Sequence, residues 1–516
     1  MTTLIGGEML AWSDLDGSHG PAPAGGDALR SLLPAVSGRT LVAGPHSPQL
    51  VAALPTTDVT VLIRGDLDAP AFDTPVLCGS LEKLETLPAY DTVLALDGLG
   101  RLHSAEAPPF TWDETLTQLL ALLKPDGRLL LGHENLFGVH RLTALPPAPA
   151  DADWTVPDDH DPARPAGHPR LLARLTAAGL RISRDYAAYP SLTAPTVLLS
   201  EEALAAPTVT GALQAAVATA LAPTADTLAD PVRMATAAFR HDLGAALAPA
   251  WVVIAERGTP QPTSTPDAVL DSAPADLAEL PQGRTLADHL LAAAQRRDLP
   301  ALRELLTAWQ SGPAAGVPAT QIVAAIPTPT GLLPPDTADS VLPDTAPVAP
   351  TPASAASSGP AAGSPTGGRV ALSPLAPAGE PLQALRAFAA EVIAGGYAHL
   401  WPIQADEAEL TAVLAGMTGR ELEPGEVPAS PTPATHSVGD LLADRERLTR
   451  ELSEARAKHE WYEKMLLHRE AELKRVRQMN ALLSATVPGK AAAGLVGGLR
   501  AGKRAVRSVV RRTRGN

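Results

Sequence analysis

TLVAG at 40–44, VTVLIRGD at 59–66, PVLCGS at 75–80, YDTVLALDG at 90–98 and RLLLGHEN at 128–135 decide the fold of this chain. Each is a short apolar run closed by Gly, Asp or another breaker. Between them lie SPQLVAAL (47–54) and the long amphipathic WDETLTQLLALLKPDG (112–127), whose apolar residues recur at helical spacing. Strand-like runs alternating with helix-period segments read as βα units on a parallel sheet. Strands buried on both faces should be almost continuously apolar, as these are. Function in such a sheet belongs at the carboxyl ends of its strands, beside the point where strand order reverses.

Over roughly residues 35–200 this order resembles the class I S-adenosylmethionine-dependent methyltransferases. The resemblance implies an α/β fold with a Rossmann-like seven-stranded sheet, S-adenosyl-L-methionine as cofactor, and methyl transfer to an acceptor. In that family the first strand ends in a glycine-rich loop against the methionine part of the cofactor. Here the loop is Gly44-Pro45-His46-Ser47-Pro48, which keeps the first glycine and lacks the later ones. Pro45 and Pro48 fix φ at about −65° and remove two donors, which closes the usual glycine conformations. The second strand should end in an acid for the ribose; Arg64 and Gly65 come first, and Asp66 is the displaced substitute. Gly79-Ser80-Leu81-Glu82 is similar to the adenine loop, with Ser80 in place of its first acid. Asp97 closes the fourth strand, where the family faces its acceptor. LLALLKPDGRLLLGHEN (119–135) is the best match, a helix ending in Lys-Pro-Asp-Gly and running directly into the fifth strand. GLRISRDYAAYP (179–190) and PTVLLSEE (195–202) resemble the terminal hairpin. The resemblance therefore assigns Gly44 and His46 to the cofactor loop, Asp66 to the ribose, and Leu81 and Glu82 to the adenine. It puts Asp97, His103, His133 and Glu134 on the acceptor side, with His133 or Glu134 to take the acceptor's proton. An ordinary polar residue at a strand end is the plainer reading of each. A further likeness, to methyltransferases with a long C-terminal extension, rests on ENLFGVHRL (134–142) and AFRHDLGAALAPAWVVIAERG (238–258).

At 516 residues, with 52 prolines and 3% aromatic residues, the chain exceeds one domain and is in good part not packed core. Its one cysteine, Cys78, excludes an internal disulfide and suits a reducing cytoplasm. Cys78 lies in an apolar run and reads as a buried structural thiol. The start lacks the basic residues of a signal peptide, and the uncharged stretch 203–225 is too weakly apolar to span a membrane. The expectation is a cytoplasmic protein, with its tail able to place it at the inner face of the membrane.

The methyltransferase-like domain is expected over 1–203, interrupted at 146–169 by a Pro/Asp-rich stretch suited to a lid or acceptor loop. Residues 204–310 read as an α/β or α-rich subdomain: a helix at 231–248, the strand WVVIAER at 251–257, and two helices over 285–309 split at Pro300. From 311 to 374 the Pro/Ala/Ser-rich composition reads as a disordered linker. Helical patterning returns over 382–420, and a second Pro-rich spacer covers 421–436.

Residues 441–486 hold no Pro or Gly and repeat every seven residues. Leu441, Leu448, Ala455, Tyr462, Arg469, Val476 and Leu483 form one row; Arg445, Leu452, His459, Leu466, Leu473 and Asn480 form the other. Nine of these thirteen are apolar, which argues a coiled coil, most simply a parallel dimer, against a long single helix packed on its own body. Residues 487–516 carry eight Lys/Arg and no acid, so that the rest of the chain holds −23 against a whole-chain −15. Leu495, Leu499, Val506, Val509 and Val510 share one helical face of this tail, flanked by arginines. That pattern reads as binding to an anionic membrane surface or as a solvated tail. No aromatic interleaves the arginines, so nucleic acid is not expected as a partner.

Methyl transfer needs little acid–base machinery, because the sulfonium is already activated and the site mainly aligns donor and acceptor. The lack of a strong catalytic motif is compatible with that chemistry. Asp158-Asp159-His160-Asp161 reads as a solvated acidic loop, since adjacent side chains cannot all converge on one ion; no metal is expected. PHSP and SPTGG are not phosphate loops. The expected acceptor is a small molecule or glycan. The alternative function is a catalytically inactive scaffold that self-associates through 441–486 and tethers to an anionic partner.

Overall fold

A computed structural model describes residues 1–145 (His19 and Thr86 excepted), 161–221, 227–259, 264–325, 371–401, 406–423, 426–427 and 438–485. The basic tail at 487–516, the linker between 326 and 370 and the stretch 146–160 lie outside the described residues. Two compact units are present, Met1–Val438 and Gly439–Asn516.

The first unit is built on one large sheet. In chain order its strands are β1 (Thr2–Gly6), β2 (Thr40–Ala43), β3 (Val59–Ile63), β4 (Val76–Gly79), β5 (Tyr90–Ala95), β6 (Leu123–Glu134), β7 (Arg181–Tyr189), β8 (Val197–Ser200), β9 (Ala250–Glu256), β10 (Ala268–Leu270) and β11 (Ala273–Ala275). They lie in the order β1-β4-β3-β2-β5-β6-β9-β7-β8-β10-β11. β1 through β6 run parallel wherever they pair; β9 pairs antiparallel with β6, and the pairs that follow are antiparallel too. The apolar runs quoted first are therefore the central parallel strands.

Successive residues of these strands enter opposite cores, as the pleat requires. Val93, Leu129, Leu131, Trp251 and Val253 pack into one, and Leu94, Leu130, Val252 and Ile254 into the other. Both faces are thus covered, which is why the strands alternate no polar residues. Removing a buried side chain such as Leu130 would cost about 2–5 kcal/mol.

Three expectations are corrected here. Eleven strands take the place of seven: β1 adds to one edge, the β10–β11 hairpin to the other, and β9 enters between β6 and β7. The β7–β8 hairpin forms, but it does not flank β6. A domain boundary at 203 fails for the same reason, because the strand WVVIAER, assigned to a separate subdomain, lies inside the sheet with all seven residues of β9 buried. Third, both ends of the expected linker 311–374 are ordered. β13 (Ile322–Ala325) pairs with β14 (Ala371–Pro374) and with β12 (Arg284–Thr285) in a three-stranded sheet. Its neighbours are helices Leu286–Gln295, Leu299–Gln310, Pro381–Ala394 and Glu407–Met417, which share a second core centred on Trp309 and Phe388.

The fifth-strand motif differs in detail. The helix before it, Trp112–Ala121, begins with a capping box between Thr111 and Glu114 and stops before Lys-Pro-Asp-Gly. Those four residues belong to β6, opposite an irregularity between Tyr90 and Thr92.

In the second unit a single helix accounts for the described chain, Val438–Ala485, 48 residues long. Leu452, Tyr462, Leu466, Leu473 and Val476 on it are each more than half exposed. Among the described residues no helix is long and apolar enough to cross a membrane.

Candidate functional site

Strand order reverses between β2 and β5, so the crevice expected to hold a ligand opens over their carboxyl ends. The chain's own groups fill it. Gly44 ends β2 with φ +89°, a left-handed value that suits glycine, and a Cβ there would sit 3.2 Å from Leu102 Cδ2. The loop then turns the His46 ring inward. His46 is fully buried; its Nδ1–H donates to the Gly44 carbonyl at 3.0 Å, and its Nε2 accepts the Leu96 N–H at 3.1 Å. One imidazole thus ties the end of β2 to the residue just after β5. Burial pushes it down to about 4, so it stays neutral.

Across the same strand ends runs the segment 9–26. Met9 donates its N–H to the Arg64 carbonyl, and the Ala24 N–H bonds the Pro45 carbonyl. Arg64 stands where the ribose acid was expected. Its Nε and Nη2 donate to both oxygens of buried Asp14, 2.8 and 2.9 Å away, and its Nη1 donates to the His103 carbonyl. Burial alone would raise Asp14, but the Arg64 hydrogen bonds and charge hold its carboxyl below the ordinary value. Asp97 is paired with Arg101 through Nε at 2.9 Å and Nη2 at 2.5 Å. The remaining Arg101 N–H groups reach the carbonyls of Asp14, Pro21 and Ala22, so that all five donors are used. Burial still lifts Asp97 to about 6.

The other residues assigned to the cofactor lie elsewhere. Asp66 opens the turn Asp66–Ala71 on the β4 side, and its charge helps burial raise the Cys78 thiol to about 11. Leu81 is core. Glu82 is bonded by Ser80 and His103, whose hydrogen bonds overcome burial and keep it ionised. Gly44, His46, Asp66, Leu81 and Glu82, as arranged, do not fit S-adenosylmethionine: the imidazole has both nitrogens engaged, Leu81 is core, and the chain's own segment crosses the strand ends.

Open space adjoins the filled crevice, with Arg64 and Pro21 at its edge. A cavity of about 720 Å³ lies over the carboxyl ends of β5 and β6, lined among others by Asp97, Arg101, His103, Trp112, His133 and Glu134. The acceptor-side residues are therefore brought together, while the cofactor-side ones are not. His133 donates Nε2–H to the Pro165 carbonyl at 3.1 Å and packs against Trp112 and Trp251. Burial and then the Arg164 charge bring it down to about 4. Glu134 is lowered to about 2, because hydrogen bonds from His140 and Arg141 outweigh its burial. A carboxylate held that low is a poor proton acceptor at neutral pH. His103 Nδ1 lies 2.9 Å from Glu82 Oε2 and its Nε2 lies 3.1 Å from Thr115 Oγ1. Asp161, from the acidic run, accepts the Trp112 N–H at the first turn of that helix.

Reasoning from sequence missed Asp14, Arg64, Arg101 and Thr115. Only the Asp97–Arg101 spacing of four residues carried a signal; Asp14 and Arg64 stand 50 residues apart.

No protein-family model matches the chain, and no curated protein sequence matches it. Solved structures to which it is similar include a Burkholderia thailandensis 1,6-didemethyltoxoflavin-N1-methyltransferase with bound 1,6-didemethyltoxoflavin and S-adenosylhomocysteine. That match has 15% identity over 45% of this chain and 75% of the other, at a TM-score of 0.23. A SAM-dependent methyltransferase from Archaeoglobus fulgidus matches at 14% identity over 44% of this chain and 94% of that one, TM-score 0.26. The 4+2 cyclase SpnF matches at 17% identity over 45% and 81%, TM-score 0.24. At these TM-scores the reading of the site rests on its own geometry.

Proposed function

We propose that the large-sheet module is a class I methyltransferase-type enzyme that transfers a methyl group from S-adenosylmethionine to a small-molecule or glycan acceptor held in the cavity. One observation carries the reading: the cavity opens over the carboxyl ends of β5 and β6, next to the reversal of strand order, where an open α/β sheet places its ligands. Asp97, His133 and Glu134 line it on the acceptor side. Donor access requires the crossing segment to leave the strand ends.

A second reading is favoured by the filled crevice. With His46 buried and the Asp14–Arg64 and Asp97–Arg101 pairs closed, the module serves as a catalytically inactive scaffold. In that role the helix Val438–Ala485 pairs with a second copy, and the tail 487–516 tethers the protein to an anionic membrane surface.

Calorimetry of the full chain with S-adenosylmethionine and with its demethylated product separates the two. Binding to the natural chain supports the enzyme. Binding only in Arg101→Leu supports an enzyme gated by its own segment, and no binding to either at millimolar ligand leaves the scaffold. Deleting 487–516 should abolish sedimentation with anionic liposomes; unchanged sedimentation refutes the tether.

A further inference from the structure

We propose that the cavity binds a planar aromatic molecule bearing a hydroxyl, and that His103 takes the hydroxyl proton through Thr115. This rests on the acceptor role given above to the cavity, and needs no cofactor.

Three separate segments deliver the groups. Glu82 comes from the short turn after β4, His103 from the loop after β5, and Thr115 from the first turn of helix Trp112–Ala121. His103 and Thr115 line the cavity, whereas Glu82 stands behind His103. The protons can be counted. The Glu82 carboxylate already accepts from Ser80 Oγ, so the bond 2.9 Å away from His103 Nδ1 is an N–H donation and the ring hydrogen sits on Nδ1. With the one ring hydrogen on Nδ1, Nε2 is the acceptor that faces the Thr115 hydroxyl at 3.1 Å. Thr115 Oγ1 also lies 3.1 Å from the Thr111 carbonyl. When Nε2 gains a proton it donates to Thr115 Oγ1, and the threonine hydrogen turns to Thr111. Every donor keeps an acceptor in both states, which matters because an orphaned buried donor costs about 1–3 kcal/mol. A histidine that merely bridged two elements would need only one of them. The Arg64 guanidinium faces the same residue, through the His103 carbonyl, and is neutralised by Asp14.

The walls point to the ligand class. The Phe110 ring lies 4.6 Å from the His103 imidazole, and Phe110, Trp112, Leu99, Pro108 and Pro109 line the same space. Flat apolar walls suit an aromatic ring. A sugar would need many free polar partners, but all five Arg101 donors are used internally, and Glu134 Oε1 already accepts from both His140 and Arg141. In the transfer, the ligand O–H bond breaks and its proton goes to Thr115 Oγ1, while the threonine's own hydrogen moves to His103 Nε2. The electron pair stays on the ligand oxygen, giving an aryl oxide beside an imidazolium backed by Glu82.

The test uses 4-nitrophenol with the full chain, at a pH below the probe's own pKa. Its ionised form absorbs visible light and its neutral form does not. Binding is followed separately by quenching of tryptophan fluorescence. The natural chain should quench on binding and develop the visible band. His103→Gln and Thr115→Val should still quench but lose the band, and Thr115→Ser should restore it. No quenching at millimolar probe overturns the ligand class. A bound probe that stays neutral, or a band that survives in Thr115→Val, overturns the proton path, and the threonine pair decides this even if His103→Gln fails to fold. Loss of S-adenosylmethionine binding would leave the band untouched, so failure of the methyl-transfer reading is separately visible.

Discussion

Acidification from pH 7 to pH 5 should loosen the strand ends through His46 and His133. Each ring is buried and held neutral, brought from 6.5 to about 4 chiefly by desolvation. A folded-state pKa below the unfolded value gives stability that is present above the unfolded pKa and lost as pH falls toward the folded one. The window is therefore 6.5 down to about 4. With both values in the linkage relation, each ring withdraws about 2 kcal/mol between pH 7 and pH 5, or about 4 kcal/mol for the two. Asp97 works in the opposite sense. Its carboxyl is raised from 3.8 to about 6, so it returns about 1 kcal/mol over the same interval, leaving a loss of about 2–3 kcal/mol from these three strand-end groups together. Glu134, lowered from 4.5 to about 2, contributes only below pH 4.5 and does not confuse the measurement. The site-specific assay is hydrogen exchange at the Leu96 amide, whose acceptor is His46 Nε2. Its protection, corrected for intrinsic exchange, should fall steeply across this window in the natural chain. In His46→Gln, which keeps an acceptor and does not titrate, the fall should be roughly halved. A Leu96 amide equally protected at both pH values, or an acid response of the same size in His46→Gln, would refute the reasoning.

Arg101→Leu should cost more at pH 8 than at pH 5, because an unpaired Asp97 is tolerated only when protonated; equal urea midpoints for the two losses would contradict the pairing. Gly44→Ala should lower the melting temperature by strain of about 1–2 kcal/mol at φ +89°, and an unchanged melt would mean that the loop takes another course. Leu466→Lys and Leu473→Lys together should turn a sedimenting dimer into a monomer, whereas a natural chain that already sediments as a monomer removes the second copy from the helix Val438–Ala485.

Composition and period made the central strands legible, because a strand covered on both faces runs almost continuously apolar, with an occasional threonine. β2 through β6 announce themselves in VTVLI and YDTVLA for that reason alone. WVVIAER was equally plain as a strand, but its partner was not. Whether a seven-residue apolar strand sits beside β6 or in another layer depends on a contact more than a hundred residues away in sequence. The same limit applies to the linker. Its two ends pair as β13 and β14 across 45 residues of low-complexity chain that carry no sign of the pairing.

The site divides along the same physical line. Asp97, His103, His133 and Glu134 could be placed beside the cavity because strand ends can be located from period, and the residues after β5 and β6 emerge there. The occupant of the crevice was not found, because it is set by what crosses above the strand ends. That crossing segment, SDLDGSHGPAPAGG at 13–26, has no period to read, and its decisive contact joins Asp14 to a residue 50 positions on. Arg64, seen alone, is a strand-end cation where an acid was expected. Joined to Asp14 it becomes half of a buried pair that needs the segment in place, since a lone buried guanidinium would be costly. Departure from the family's pattern at Arg64 and the occupation of the crevice are therefore one feature: the cation replaces the acid because its counter-charge comes from this chain. Any molecule that enters between β2 and β5 must first supply Arg64 and Arg101 with acceptors as good as Asp14, Pro21 and Ala22.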